Sequence, residues 1–176
     1  MKYKLLLFWL ISFWIGQQPC MAQQELDYRL ASLFIYNFTN YIQWPEPVHS
    51  QPDFVIGVVG SQKATKALTE MAKVKKANRV KPIVVHQITN LKEIGRCNLV
   101  LLTHEETAKF KDVLAAVGEH PILLVTEKQG LAEKGAAINL FLENGNKTRF
   151  ELNKHVTDKH GFKVSTQLID LAVVVK

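Results

Sequence analysis

Cysteine is nearly absent from this 176-residue chain, with Cys20 and Cys97 the only two. The motifs of common chemistries are missing as well. There is no H-E-x-x-H pair, and the six histidines His49, His86, His104, His120, His155 and His160 join no Cys/His set with zinc-ligand spacing, so no metal centre is expected. No G-x-S-x-G elbow presents a serine nucleophile. Neither a Walker A loop nor a dinucleotide fingerprint occurs, since Gly57 and Gly60 lack the further glycines and the Lys-Ser/Thr pair. Gly60 is read as permitting a tight turn, and a small anion at the following helix N-terminus is the minority reading. No enzyme activity and no cofactor are therefore expected. Beyond residue 15 no apolar run approaches the roughly 20 residues needed to span a bilayer. Internal repeats, low-complexity segments and linkers are absent too.

What is present starts with a leader. Lys2 and Lys4 precede an apolar run over residues 5–15, which Gly16 to Pro19 break, and Cys20-Met21-Ala22 offers small residues at the first and third positions of a signal-peptidase site. We expect residues 1–22 to be a cleaved signal peptide and residues 23–176 to be one domain in the periplasm. An uncleaved anchor is disfavoured by the short apolar run, and a lipid anchor at Cys20 by the Pro and Gln residues before it. Without the leader Cys97 stands alone, so no intramolecular disulfide can form. Beside the apolar 99–102 run it reads as a buried, inert thiol, with pairing between chains as the alternative. The formal charge of +6 falls to +4 once Lys2 and Lys4 are gone. The densest basic cluster, Lys73, Lys75, Lys76, Arg79 and Lys81, lacks interleaved aromatics, so it reads as a solvated helix end and nucleic-acid binding is not expected.

The pattern along the chain is that of alternating elements. Leu26, Leu30, Leu33, Phe34, Phe38, Tyr41 and Ile42 recur at helical spacing, predicting an amphipathic helix over 26–42 that ends before Pro45. Strands are expected at 54–60, 82–88, 98–103, 122–126 and 137–143, the first a near-continuous apolar run of the kind covered on both faces. Helices are expected at 63–73, capped by Ser61, and at 105–117, opening with Glu105 and Glu106 where the helix dipole favours acid. Further short helices are expected at 91–95, 129–135 and 154–160. Asn144-Gly145 between 137–143 and 149–152 is a hairpin signal. The apolar tail over 168–175 reads as a buried element. The fold class is thus α/β: a mainly parallel sheet flanked by helices, with a C-terminal antiparallel hairpin.

Four residues are singled out as partner- or ligand-binding candidates. Asn37 is not readily explained as core, and Trp44 beside a proline reads as exposed, the type of residue that anchors an interface or stacks on a flat ligand. Arg149 and Glu151, two apart on one strand, point to one side; they form either a surface ion pair or a polar grip on a small ligand.

Several elements, in order over nearly the whole mature chain, resemble the YfiR family of bacterial periplasmic proteins. They are Tyr36-Asn37-Phe38, Trp44-Pro45, the 54–60 run, Arg96-Cys97-Asn98, Ile138-Asn139-Leu140 and Arg149-Phe150-Glu151-Leu152-Asn153. The resemblance implies an α/β regulator that binds the periplasmic part of an inner-membrane diguanylate cyclase, or of a sensor kinase, and so lowers cyclic-di-GMP output and biofilm formation. It also implies homodimers, redox sensitivity through disulfides, and a small-molecule ligand near the sheet edge where Arg149 falls. A lone Cys97 cannot provide an intramolecular redox switch. A solute-binding protein feeding a receptor or transporter is the rival reading.

Overall fold

The computed structural model describes residues 26–46 and 48–176. The expected leader and its cleavage site lie outside the described residues. The chain opens with helix α1 (Tyr28–Tyr41) and then β1 (Ile42–Gln43), a 3-10 turn Val48–Ser50, β2 (Phe54–Val59), α2 (Gln62–Val74) and β3 (Ile83–Gln87). A 3-10 helix Leu91–Arg96 leads to β4 (Leu99–Leu102), and a second one, His104–Lys109, runs into α3 (Phe110–Val117). β5 (Leu123–Thr126), β6 (Ile138–Glu143), β7 (Lys147–Asn153), α4 (Lys154–Lys159), β8 (Lys163–Val164), α5 (Thr166–Leu171) and β9 (Val173–Val175) complete the order.

The main sheet has seven strands in the order β3-β2-β4-β5-β6-β7-β9. β3 through β6 run parallel, each strand joined to the next through a helix or a longer loop. β7 then turns back antiparallel through Asn144 and Gly145, both at positive φ (51° and 76°), as the Asn-Gly signal requires. The α/β class and the hairpin are as expected. β9 pairs parallel to β7 and forms the sheet edge. β1 and β8 make a separate two-stranded ribbon beside the end of α1.

Two cores cover the two faces. On one, Ile56, Val58, Leu99, Leu101, Leu123, Val125 and Leu140 pack under α1 and α2. On the other, Val59, Val100, Leu102 and Leu124 pack under α3 and the 3-10 helices. Continuous apolar strands serve both faces at once, which is why β2, β4 and β5 show no polar alternation.

Several expectations need correction. The buried stripe of α1 is Ala31, Ser32, Ile35, Phe38 and Thr39, whereas Leu30 (41% exposed), Leu33 (47%) and Tyr41 (39%) face outward. Ser32 and Thr39 can be buried because their hydroxyls donate to the Arg29 and Tyr36 carbonyls within the helix. Residues 129–135 form turns rather than a helix. The 105–117 helix is divided by a kink at Glu106 (φ −114°, ψ 20°), so that its first half is 3-10. The tail is not buried: Leu168 packs in the core, but Leu171 at the end of α5 and Val173 and Val174 on the edge strand are exposed. Ser61 precedes α2 without capping it through its side chain. Instead its N–H donates to Thr103 Oγ1 at 2.9 Å, tying the end of β2 to the end of β4.

Candidate functional site

Each candidate residue takes its place from the element that carries it. Trp44 follows β1 and is only 3% exposed. Its indole stands edge-on to Phe54 (ring centroids 4.8 Å apart) and Phe162 (5.5 Å), and Nε1 donates to the Asn98 carbonyl at 3.0 Å. The expectation of an exposed anchor is therefore corrected: Trp44 lies in the core, where its polar N–H has found a backbone partner. Asn98 completes this joint. Its side-chain oxygen accepts from the Val55 N–H at 2.6 Å and its amide donates to Gln51 Oε1 at 3.1 Å. Cys97, next to it, is buried, and burial followed by the charge of Glu93 pushes its thiol up to about 11, so it is unreactive in this conformation.

Asn37 is exposed on α1, at helical spacing from Leu30, Leu33 and Tyr41, so it lies within an outward stripe of large apolar side chains. Val74 (78% exposed) at the end of α2 borders a groove between α1 and α2 that Leu30, Leu33 and Met71 also line. Arg29, Lys63, Lys66 and Lys75 stand around it, against Asp27 and Glu70. The Lys75 ammonium sits 5.2 Å from the centroid of the Tyr36 ring.

Arg149 and Glu151 share one face of β7, as their spacing predicts, but they do not pair with each other. Arg149 Nη1 lies 3.3 Å from Glu143 Oε1 on β6. Glu151 Oε2 accepts from Asn139 Nδ2 at 3.1 Å, and Asn139 Oδ1 accepts from the buried Thr126 hydroxyl at 2.8 Å, a chain of bonds across β5, β6 and β7. Burial raises the pKa of Glu151, while the Asn139 bond acts the other way. The Arg149 pair is half-exposed and adds little stability.

A further polar cluster lies where the pattern gave no warning, beyond the carboxyl ends of β4 and β5. Glu127 Oε2 accepts from the His104 N–H at 3.0 Å and from the Tyr28 phenol at 3.2 Å. The Ser61 side chain beside the phenol favours its ionised form. Burial pushes the Glu127 carboxyl up to about 7, the two hydrogen bonds oppose this, and Glu105 adds to it. Burial, and then Glu127, push the Tyr28 phenol up. This negative charge beside the start of α2 disfavours the anion reading for that helix end. Tyr28, His104 and Glu127 come from separate stretches of the chain, so spacing could not reveal the cluster. Among the described residues no group of three or more His, Cys, Asp or Glu side chains is placed to hold a metal, and no helix is long and apolar enough to cross a membrane.

Residues 28–173 match the family model described as YfiR/HmsC-like. None of the curated proteins matches the sequence. Among solved structures, a conserved domain protein from Vibrio cholerae is similar with a TM-score of 0.57 at 11% identity, over 85% of this chain and 60% of that one. An ABC domain from Streptococcus pneumonia, solved in complex with L-Trp, is similar with a TM-score of 0.54 at 10% identity, over 80% of this chain and 59% of that one. The chain thus spans about three-fifths of these structures, and at such identities the likeness is one of fold alone.

Proposed function

This chain belongs to the YfiR/HmsC-like family, a family of periplasmic, non-catalytic regulators, and on that premise we propose that it is exported by its leader and docks on the external part of an inner-membrane signalling protein. A diguanylate cyclase is the first partner and a sensor kinase the second, with the bound state lowering the partner's output. The observation that carries this reading is the stripe of α1. A helix that already buries Ile35 and Phe38 in the core also presents Leu30, Leu33 and Tyr41 to solvent, with Asn37 among them. Single exposed apolar residues are ordinary, but a row of them beside the apolar groove to α2 is the anatomy of an interface core, with Asn37 as its polar contact. Basic residues around the groove call for an acidic rim on the partner, which would speed and orient encounter. Arg149 and Glu151 remain the proposed ligand-responsive part, on the opposite face of β7, where Arg149 can exchange Glu143 for a carboxylate of a ligand.

The test is capture of membrane proteins from detergent-solubilised inner membranes by the tagged mature chain. A transmembrane cyclase or kinase should be retained, and Leu33→Glu should reduce retention at least about tenfold, the usual scale for an interface residue worth more than 1 kcal/mol. The variant should keep a thermal midpoint close to that of the parent, because Leu33 is 47% exposed and lies outside the buried stripe of α1. Retention of transporter subunits instead would favour the solute-binding rival, and undiminished capture by Leu33→Glu would remove α1 as the contact.

A further inference from the structure

A cavity of about 430 Å³ opens beside Glu127. His104 and Glu105 reach it from the end of β4, Glu127, Lys128 and Gln129 from the end of β5, Leu140, Phe141 and Leu142 from β6, and Leu26 and Tyr28 from the start of α1. Its size is that of a small-molecule site, and open parallel sheets place their ligands in this position, outside the carboxyl ends of the strands.

The chemistry of the cavity is uneven. One wall is apolar, made by Leu26, Leu140, Phe141 and Leu142. The other is the Glu127 carboxyl, and its two oxygens differ. Oε2 holds both available donors, the His104 N–H and the Tyr28 phenol. Oε1 is buried and has no donor among the described residues. A buried acceptor left without a donor is costly, by about 1–3 kcal/mol and more for a charged group, so folded chains seldom keep one without use. The same two bonds fix the carboxyl plane and so the position of the second oxygen, which is shielded from solvent; an incoming donor reaches it by displacing the atoms that cover it. Glu105 nearby adds negative potential.

We propose that this cavity binds a small organic cation, a primary ammonium carried on an apolar body, with the ammonium donating to Glu127 Oε1 and the body lying on the partly exposed Leu26 and Leu142. An anion is disfavoured by Glu127 and Glu105. A neutral alcohol could donate to the same oxygen but brings no opposite charge to it, so it lacks the Coulomb attraction that an ammonium gains there. The site is separate from the outward stripe of α1 and does not depend on the docking reading.

Protonation of the carboxyl competes with the ammonium. The groups around Glu127 are Tyr28 from α1, His104 and Glu105 from the turn after β4, and Lys128 beside it in the chain. With its pKa near 7, Glu127 loses its charge as the pH falls below that value. Affinity for a cation should then weaken by about tenfold per pH unit below 7.

Titration calorimetry on the mature chain tests this with three probes of one shape: 2-phenylethylammonium, 2-phenylethanol and 3-phenylpropanoate. The ammonium should bind at least about tenfold more tightly than the alcohol at pH 8, and the carboxylate should not bind measurably. Glu127→Gln keeps an acceptor for Tyr28 and His104 and should abolish the preference for the cation. The wild-type comparison at pH 8 and pH 5.5 needs no variant and should show the affinity for the ammonium falling more than tenfold. Equal binding of ammonium and alcohol, a pH-independent affinity, or no binding of the ammonium would each overturn the proposal.

Discussion

At position 57 strand β2 has no room for a side chain. A Cβ there would stand 2.7 Å from Cys97 Sγ and 2.9 Å from Ile88 Cγ1. The glycine is a packing requirement between β2 and the segment ahead of β4, and the buried thiol of Cys97 is the other half of that contact. Gly57→Ala should destabilise the fold by about 1–3 kcal/mol, as overpacking of a filled core does. Urea unfolding checks this: the midpoint should fall at unchanged slope, and adding Cys97→Ala should recover part of the loss, since Ile88 still crowds the site. A Gly57→Ala chain as stable as the parent would contradict the close approach. Trp44 gives a companion expectation. Trp44→Phe keeps one aromatic ring in the core but leaves the space of the second and loses the bond to the Asn98 carbonyl, which still accepts from the Leu123 N–H, so it should cost about 2 kcal/mol. It should also leave membrane-partner capture unchanged, in contrast to Leu33→Glu. The sequence showed that Trp44 sits beside a proline. It could not show that Phe54, Phe162 and Asn98 close over it, because those contacts belong to three separate segments.

At the scale of elements, the strands were the legible part. The runs at 54–60, 99–102 and 122–125 are apolar throughout, and such runs fit a parallel sheet covered on both sides, as found. Asn144-Gly145 placed the hairpin because both positions need positive φ. The helices were less legible where two apolar stripes compete. In α1 Leu30, Leu33 and Tyr41 face solvent, while Ala31, Ser32 and Thr39 join Ile35 and Phe38 on the buried side, the small residues allowing close approach to the sheet. Residues 129–135 looked helical by composition, yet their backbone is held by tertiary bonds. Asn153 Nδ2 donates to the Ala132 carbonyl at 2.8 Å, while its Oδ1 caps α4 by accepting from the Val156 N–H at 2.9 Å. One buried side chain therefore starts a helix and pins a distant loop. Asn153→Ala should cost about 2 kcal/mol, combining a lost cap and an unsatisfied carbonyl. Amide exchange should quicken at both the first turn of α4 and residues 129–135; quickening at α4 alone would refute the coupling.

For the whole molecule, the Tyr28–Glu127–His104 cluster joins the beginning of α1 to the ends of β4 and β5, and it makes stability depend on pH. The carboxyl of Glu127 has an ordinary value of 4.5 and is pushed up to about 7 in the fold, by burial first. Below pH 4.5 the group is protonated in folded and unfolded chains alike and contributes nothing to the dependence. Between 4.5 and 7 the unfolded chain has released its proton while the folded chain still holds it, so stability declines as the pH rises. Above 7 both are ionised and the full penalty of burying the charge, of the order of 3 kcal/mol, persists. Glu151, also raised by burial, acts in the same direction, so the wild-type profile alone does not isolate Glu127. The difference from Glu127→Gln does, because the amide never ionises and Glu151 is common to both chains. The variant should gain stability relative to the parent as the pH is taken from 4.5 to 8, by up to about 3 kcal/mol, with most of the change between 4.5 and 7. Urea midpoints measured at half-unit intervals read this directly. Parallel profiles for the two chains would mean that Glu127 ionises as freely in the folded protein as in water, and the buried carboxyl beside Tyr28 would lose its special character.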